Sequence, residues 1–176
     1  MGNRQQENVN RSNKRINLET PLLFLLAVLL FVFFQDWKYR RIHVVLPLAI
    51  FLLSLYLIYL KSLSFQNMLL NTAFFLVTLG ILVLYMSLKN KQFLNPFKHY
   101  FGLGDLLFYV AVTPLFILPN FIVFFILSMV FALVLQFAFK KVLTEQTVPL
   151  AGFSALFLCI VMIRDYCSFY PKLTLI

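Results

Sequence analysis

The sequence predicts an all-α integral membrane protein of about six transmembrane helices in one bundle, and its composition and segmentation carry that expectation. Of 176 residues, 62% are hydrophobic and 12% charged, against roughly 45–50% and about 25% in soluble domains. No water-soluble domain of this size can hide that much apolar surface. The apolar residues also fall in long runs divided by short polar or basic stretches. A spanning helix needs ~20 mostly apolar residues, because lipid offers the backbone no hydrogen bonds and each segment must satisfy its own. Six windows meet or approach that length: Pro21 to Phe34, His43 to Leu60, Met68 to Leu88, Asp105 to Leu118, Phe121 to Phe139 and Val148 to Ile163.

Residues 1–19 are rich in Asn, Gln and Arg with almost nothing apolar to fold around, so they read as a disordered polar basic tail. The first window is short and needs flanking residues to span. It reads as an uncleaved anchor, since Phe33-Phe34-Gln35-Asp36-Trp37 offers no small-residue cleavage site. Met1-Gly2 is followed by Gln6 where a myristoylation signal has Ser or Thr. The fourth window is short as well, and Pro114 within it predicts a kink, either a cleft above Asp105 or an irregularity of packing. Pro119-Asn120 is the only break before the fifth window, which predicts a tight hairpin with its turn near a membrane surface. A five-helix arrangement with a re-entrant piece is the alternative count. Residues 20–170 thus form one transmembrane domain, and 171–176 a C-terminal tail. Trp37, Tyr39, Tyr100, Tyr109, Tyr166 and Tyr170 fall near span ends, as an interfacial aromatic belt would.

The formal charge is +9, from 15 Lys and Arg against 6 Asp and Glu, and the bases sit in the tail and loops. Contact with anionic lipid headgroups accounts for this without nucleic acid. Cys159 and Cys167 have no C-x-x-C spacing and no histidine cluster, so no zinc site is expected, and no metal or organic cofactor is required. His43 and His99 flank membrane segments and read as solvated interfacial side chains, with tuning of a nearby carboxylate as the alternative.

The acidic residues are Glu7, Glu19, Asp36, Asp105, Glu145 and Asp165. Ionisable groups at membrane depth are costly and usually functional, and two of the six border long apolar runs: Asp36 at the end of the first window and Asp105 at the start of the fourth. Loops one, three and five must share a side, so both aspartates lie at the same membrane face whatever the absolute orientation. Two carboxylates a few ångström apart cannot both ionise cheaply. They share a proton and can act together as general base and general acid on a water attacking an amide, which is aspartyl protease chemistry. Gly102 and Gly104, lacking a Cβ, permit close approach of a substrate strand or a neighbouring helix. Helix capping, a headgroup contact or a lysine partner are the structural readings of the same two aspartates. Asp165 falls on the opposite face by the same count and reads as an interfacial charge.

Gly102-Leu103-Gly104-Asp105 resembles the G-x-G-D signature of the type IV prepilin peptidase family, the prepilin and preflagellin leader peptidases. Asp36 followed by Arg40, Arg41 and Ile42 looks like that family's first motif, and Val148-Pro149-Leu150-Ala151-Gly152-Phe153 like the proline-containing segment that opens its last helix. The resemblance covers most of residues 21–165. It implies that Asp36 and Asp105 are the catalytic pair, that the enzyme sits in the inner (cytoplasmic) membrane with a cytoplasmic active face, and that its substrates are prepilin-like proteins cut after a glycine to release a short basic leader. Two departures stand out: Leu107 occupies the position of the family's lysine, and His43-Val44 follows Ile42 in place of Pro-Asn. The cysteine-bearing methyltransferase region of larger bacterial members is lacking, so cleavage without N-methylation is expected. Loops one, three and five carry eight Lys and Arg and the other side seven, so the positive-inside rule does not choose an orientation and family analogy alone puts those loops inside. Two rivals are a presenilin-like intramembrane protease, disfavoured by Gln35 where that family has tyrosine, and a small transporter or assembly protein of a pilus or secretion system whose aspartates bind a proton or cation.

Overall fold

Each of the six apolar runs contains a helix, with boundaries that shift most in the first and fourth. The computed structural model describes residues 2–61, 64–90, 102–139, 149–167 and 173–175, with side chains from residue 20 onward. Among the described residues there are six α-helices: α1 (Gly2–Tyr39), α2 (Val45–Lys61), α3 (Gln66–Asn90), α4 (Leu103–Val112), α5 (Leu118–Ala138) and α6 (Leu150–Cys167). A 3-10 turn, Thr113–Leu115, follows α4. Helix α1 includes the residues read above as a polar tail. His99, Tyr100, Glu145, Val148, Tyr170 and the lysines at 91, 98, 140, 141 and 172 lie outside the described residues.

Four stretches are long and apolar enough to cross a bilayer: Thr20–Tyr39 of α1, Gln66–Lys89 of α3, α5 and α6. Helix α6 is the most buried of them, at 56% of its window, and α3 the least, at 11%, which puts α6 at the centre of the bundle and α3 at its edge. Helix α6 packs on α1, α5 and α4, and α2 on α4 and α1. Lipid supplies no hydrophobic drive between helices, so small residues that let backbones approach matter more than bulk. Ala151, Gly152, Ser154 and Ala155 on α6 are all buried and provide such a face, and Leu25, Leu29 and Val32 of α1 are buried in the same bundle.

The fourth segment departs from the kinked helix expected of Pro114. Helix α4 is 10 residues long, about 15 Å, and it ends instead of bending. The chain passes through the 3-10 turn that contains Pro114, becomes extended at Phe116 (φ −130°, ψ 152°), and re-enters helix at Leu118 with Pro119 in the first turn of α5. The break thus precedes Pro119-Asn120.

Breaking a helix within a bundle frees carbonyls that lipid cannot satisfy, and α3 supplies the donor. The Asn71 side-chain amide, fully buried, donates from Nδ2 to the carbonyls of Thr113 at 2.8 Å and Phe116 at 2.7 Å. Its Oδ1 has no hydrogen-bond partner among the described residues, which offsets part of the gain. Asn71→Leu is therefore expected to cost about 2 kcal/mol, roughly 4–8 °C for a chain of this size, read as the midpoint of heat-induced loss of monodisperse protein in detergent. An unchanged midpoint would remove Asn71 from this role.

At the far end of α6 the structure corrects the reading of Asp165 as an interfacial charge. Asp165 is 3% exposed. Its Oδ1 accepts from Arg164 Nε at 3.1 Å and Nη2 at 2.6 Å. Its Oδ2 accepts from the backbone amides of Leu173 at 2.9 Å and Thr174 at 2.7 Å and from the Thr174 hydroxyl at 2.9 Å. Leu175 N–H donates to the Leu115 carbonyl at 2.8 Å, and Asn120 Nδ2 donates to the Leu173 carbonyl at 2.7 Å. The last described residues thus pin the ends of α4, α5 and α6 together, remote from Asp36 and Asp105. Tyr109 also departs from the interfacial belt: it is fully buried, whereas Tyr39 and Tyr166 are 62% and 65% exposed as a belt requires.

Candidate functional site

Asp36 lies in the last turn of α1. Beyond it Arg40 adopts a left-handed conformation (φ 53°) and its N–H donates to the Asp36 carbonyl at 3.0 Å, which closes the helix. A non-glycine residue in this region costs energy, and here it turns the chain sharply. The turn lays Ile42 on α4: a Cβ placed on Gly104 would lie 3.3 Å from both Cβ and Cδ1 of Ile42. Gly104 thus brings the loop after α1 against the start of α4.

Asp105 is the third residue of α4, and its carboxylate reaches back to the preceding turn, where Oδ2 accepts from Gly102 N–H at 3.3 Å. An acid in a first turn also sits favourably against the helix dipole. Gly102 is confined by this contact, since a Cβ there would stand 3.0 Å from Asp105 Oδ2.

The two aspartates meet at the start of α6. The first amides of a helix have no intrahelical acceptor, and α6 opens after Pro149 with no Ser, Thr, Asp or Asn in the capping position. Acceptors come from other helices instead. Asp105 Oδ1 accepts from Ala151 N–H at 2.8 Å, and Asp36 Oδ2 accepts from Gly152 N–H at 2.7 Å. Consecutive backbone nitrogens are at most about 3.7 Å apart, so these two carboxylate oxygens lie within about 9 Å of each other. The charge on Asp36 acts directly on Asp105, and that on Arg40 acts on Asp36. Two carboxylates beside one helix N-terminus are partly compensated by its dipole and amides, which lets the pair persist among apolar helices.

Gly152 carries the tightest approach in the molecule among its described glycines. A Cβ there would fall 2.9 Å from both Cβ and Oδ2 of Asp36, well inside van der Waals contact. Ala151 and Gly152 were not singled out as site residues by the sequence. The available signal was an apolar helix that opens after Pro149 without a capping side chain of its own and has two of the smallest residues in its first turn.

Gly102, Gly104, Asp36 and Asp105 are thus brought together at one end of the bundle, as the odd and even count of crossings predicted. His43 is exposed, and its N–H donates to Gln35 Oε1 at 3.3 Å. Leu107, at the position of the lysine, is half-buried on α4. Among the described residues no group of three or more His, Cys, Asp or Glu is placed to hold a metal ion.

A family model described as the type IV leader peptidase family matches residues 23–137. The match encloses both aspartates and the G-x-G-D motif and ends within α5. No curated protein and no solved structure matches the chain.

Proposed function

The chain belongs to the type IV leader peptidase family, and from that premise we propose that it is an aspartic endopeptidase that removes the short basic leader of prepilin-like proteins, with Asp36 and Asp105 as its catalytic pair. Membership makes it a membrane peptidase of the leader-processing kind. The observation that carries the finer reading is the convergence of Asp36 and Asp105 on adjacent amides of one helix.

In this mechanism the pair holds one proton. The ionised carboxylate takes a proton from a water as the water oxygen attacks the scissile carbonyl carbon, and the protonated partner hydrogen-bonds the carbonyl oxygen as charge develops on it. Collapse of the tetrahedral intermediate breaks the C–N bond, and the leaving nitrogen takes a proton from the pair, which returns to its starting charge. The amides of Gly102 and Ala151 hold Asp105, and that of Gly152 holds Asp36, so neither carboxylate must reorganise during the step. The chemistry needs no metal or organic cofactor.

The site's position at the end of the bundle suits a substrate cut just before its hydrophobic helix: the helix stays in lipid while the leader lies at the surface. By family analogy that surface is the cytoplasmic face of the inner membrane.

The test is co-expression with a prepilin-like reporter bearing a basic leader, a glycine and an apolar helix of ~20 residues, with leader removal followed by gel shift and the new N-terminus sequenced. Wild-type cleavage after the glycine is the expected result. A panel of such reporters left uncut would overturn the reading.

A further inference from the structure

One buried polar cluster is not used by the mechanism above. The hydroxyl of Tyr109 on α4 lies 2.9 Å from Ser128 Oγ on α5 and 2.8 Å from Ser154 Oγ on α6. All three residues are fully buried. Ser128 Oγ donates to the Phe125 carbonyl at 2.9 Å. A hydroxyl has one proton, so this bond fixes the direction of the rest: Ser128 accepts from Tyr109, and Tyr109 accepts from Ser154. The result is a chain of donors from α6 through α4 to α5, with each hydroxyl proton assigned an acceptor.

Packing alone does not require this chain. The Tyr109 ring is already held by Phe75, Phe108 and Phe125, with centroids 5.4, 5.7 and 5.1 Å away, and phenylalanine would fill the same space. The hydroxyls add direction, since hydrogen bonds fix the relative setting of helices that lipid-facing apolar packing leaves free to slide.

The position of the chain gives that direction a use. Tyr109 is one helical turn beyond Asp105, on the same face of α4. Ser154 is three residues beyond Ala151, whose amide holds Asp105. We propose that Tyr109 and Ser154 are a positioning pair that sets the register of α4 against α6 and so holds Asp105 on the Ala151 amide, with Ser128 anchoring the pair to α5. The catalytic consequence rests on the proposed role of Asp105; the positioning itself does not.

Two variants and two readouts test this on the full chain in detergent. Tyr109→Phe removes one oxygen from a ring that stays packed, and Ser154→Ala removes one oxygen from a small side chain. The first readout is hydrogen–deuterium exchange of a peptide covering residues 149–156. Both variants are expected to speed exchange there at least tenfold, while peptides from α1 and the C-terminal half of α6 stay unchanged. The second is cleavage of the leader reporter, where kcat is expected to fall about tenfold with KM within twofold, because a small misplacement of a catalytic group affects the reacting geometry more than binding. The double variant should lose no more than either single variant. Exchange at 149–156 equal to wild type in both variants would overturn the positioning role whatever the activity. Faster exchange in a protein whose wild type cuts no reporter would uphold the positioning and overturn the peptidase reading instead.

Discussion

Asp36→Asn and Asp105→Asn are each expected to lower leader cleavage by on the order of 10³-fold, to below detection on a gel, while leaving expression and membrane insertion as in wild type. Each carboxylate must gain or lose a proton during the cycle, and an amide can do neither. The substitution is otherwise close to isosteric, and its carbonyl oxygen can still accept from the amides that now hold the carboxylates, Ala151 for Asp105 and Gly152 for Asp36. Helix α6 therefore keeps its external caps, and loss of activity reports on chemistry. The double variant should be no worse than either single one, since a pair that works as a unit is lost with its first member. Either single variant cutting at more than a tenth of the wild-type rate would dismantle the dyad.

Gly152→Ala is expected to lower cleavage about 100-fold with both aspartates intact. The added methyl would stand 2.9 Å from Asp36 Cβ, where carbon atoms prefer about 3.5–4.0 Å, and that neighbour is the root of the side chain, so a rotamer change cannot clear it. Helices α1 and α6, the most extensively packed pair in the bundle, would separate by several tenths of an ångström. The 2.7 Å bond from Gly152 N–H to Asp36 Oδ2 would stretch with them. Displacement of a catalytic group on this scale is enough for a loss of about two orders of magnitude. The check is kcat on the leader reporter alongside the elution profile of the purified protein in detergent. Near-wild-type kcat would mean that the α1 and α6 contact is not part of the working geometry.

Much of this molecule was legible in its sequence because lipid allows so few solutions. A run such as Met68 to Leu88 has to become helix, since no other structure satisfies its backbone in hydrocarbon, and α3 and α5 appear close to the windows assigned to them. Counting crossings then fixes which loops share a side, so the placement of Asp36 and Asp105 at one end needed no coordinates. The G-x-G-D motif and the aspartate followed by Arg40, Arg41 and Ile42 pointed to the family whose model matches residues 23–137.

The errors came from residues whose surroundings lie far away in sequence. Pro114 was expected to kink a continuing helix, but Asn71, 42 residues before Thr113, pays the hydrogen-bonding cost of ending it. Tyr109 looked like a belt residue by its place near a span end, yet Ser128 and Ser154 make a fully buried hydroxyl tolerable. Asp165 looked solvated, and residues 173 and 174 enclose it.

By itself the sequence determined a helical membrane protein of about six helices, the two acids at one end and the family, because each of these follows from hydropathy, parity or a contiguous motif. The tertiary structure decided that the acids converge on Ala151 and Gly152, that α6 is central and α3 peripheral, and that Tyr109 faces inward. Hydrogen-bond partners and sub-3 Å approaches depend on how helices are rotated and spaced against one another, and in lipid that setting comes from small residues and buried polar pairs, which leave no periodic trace along the chain.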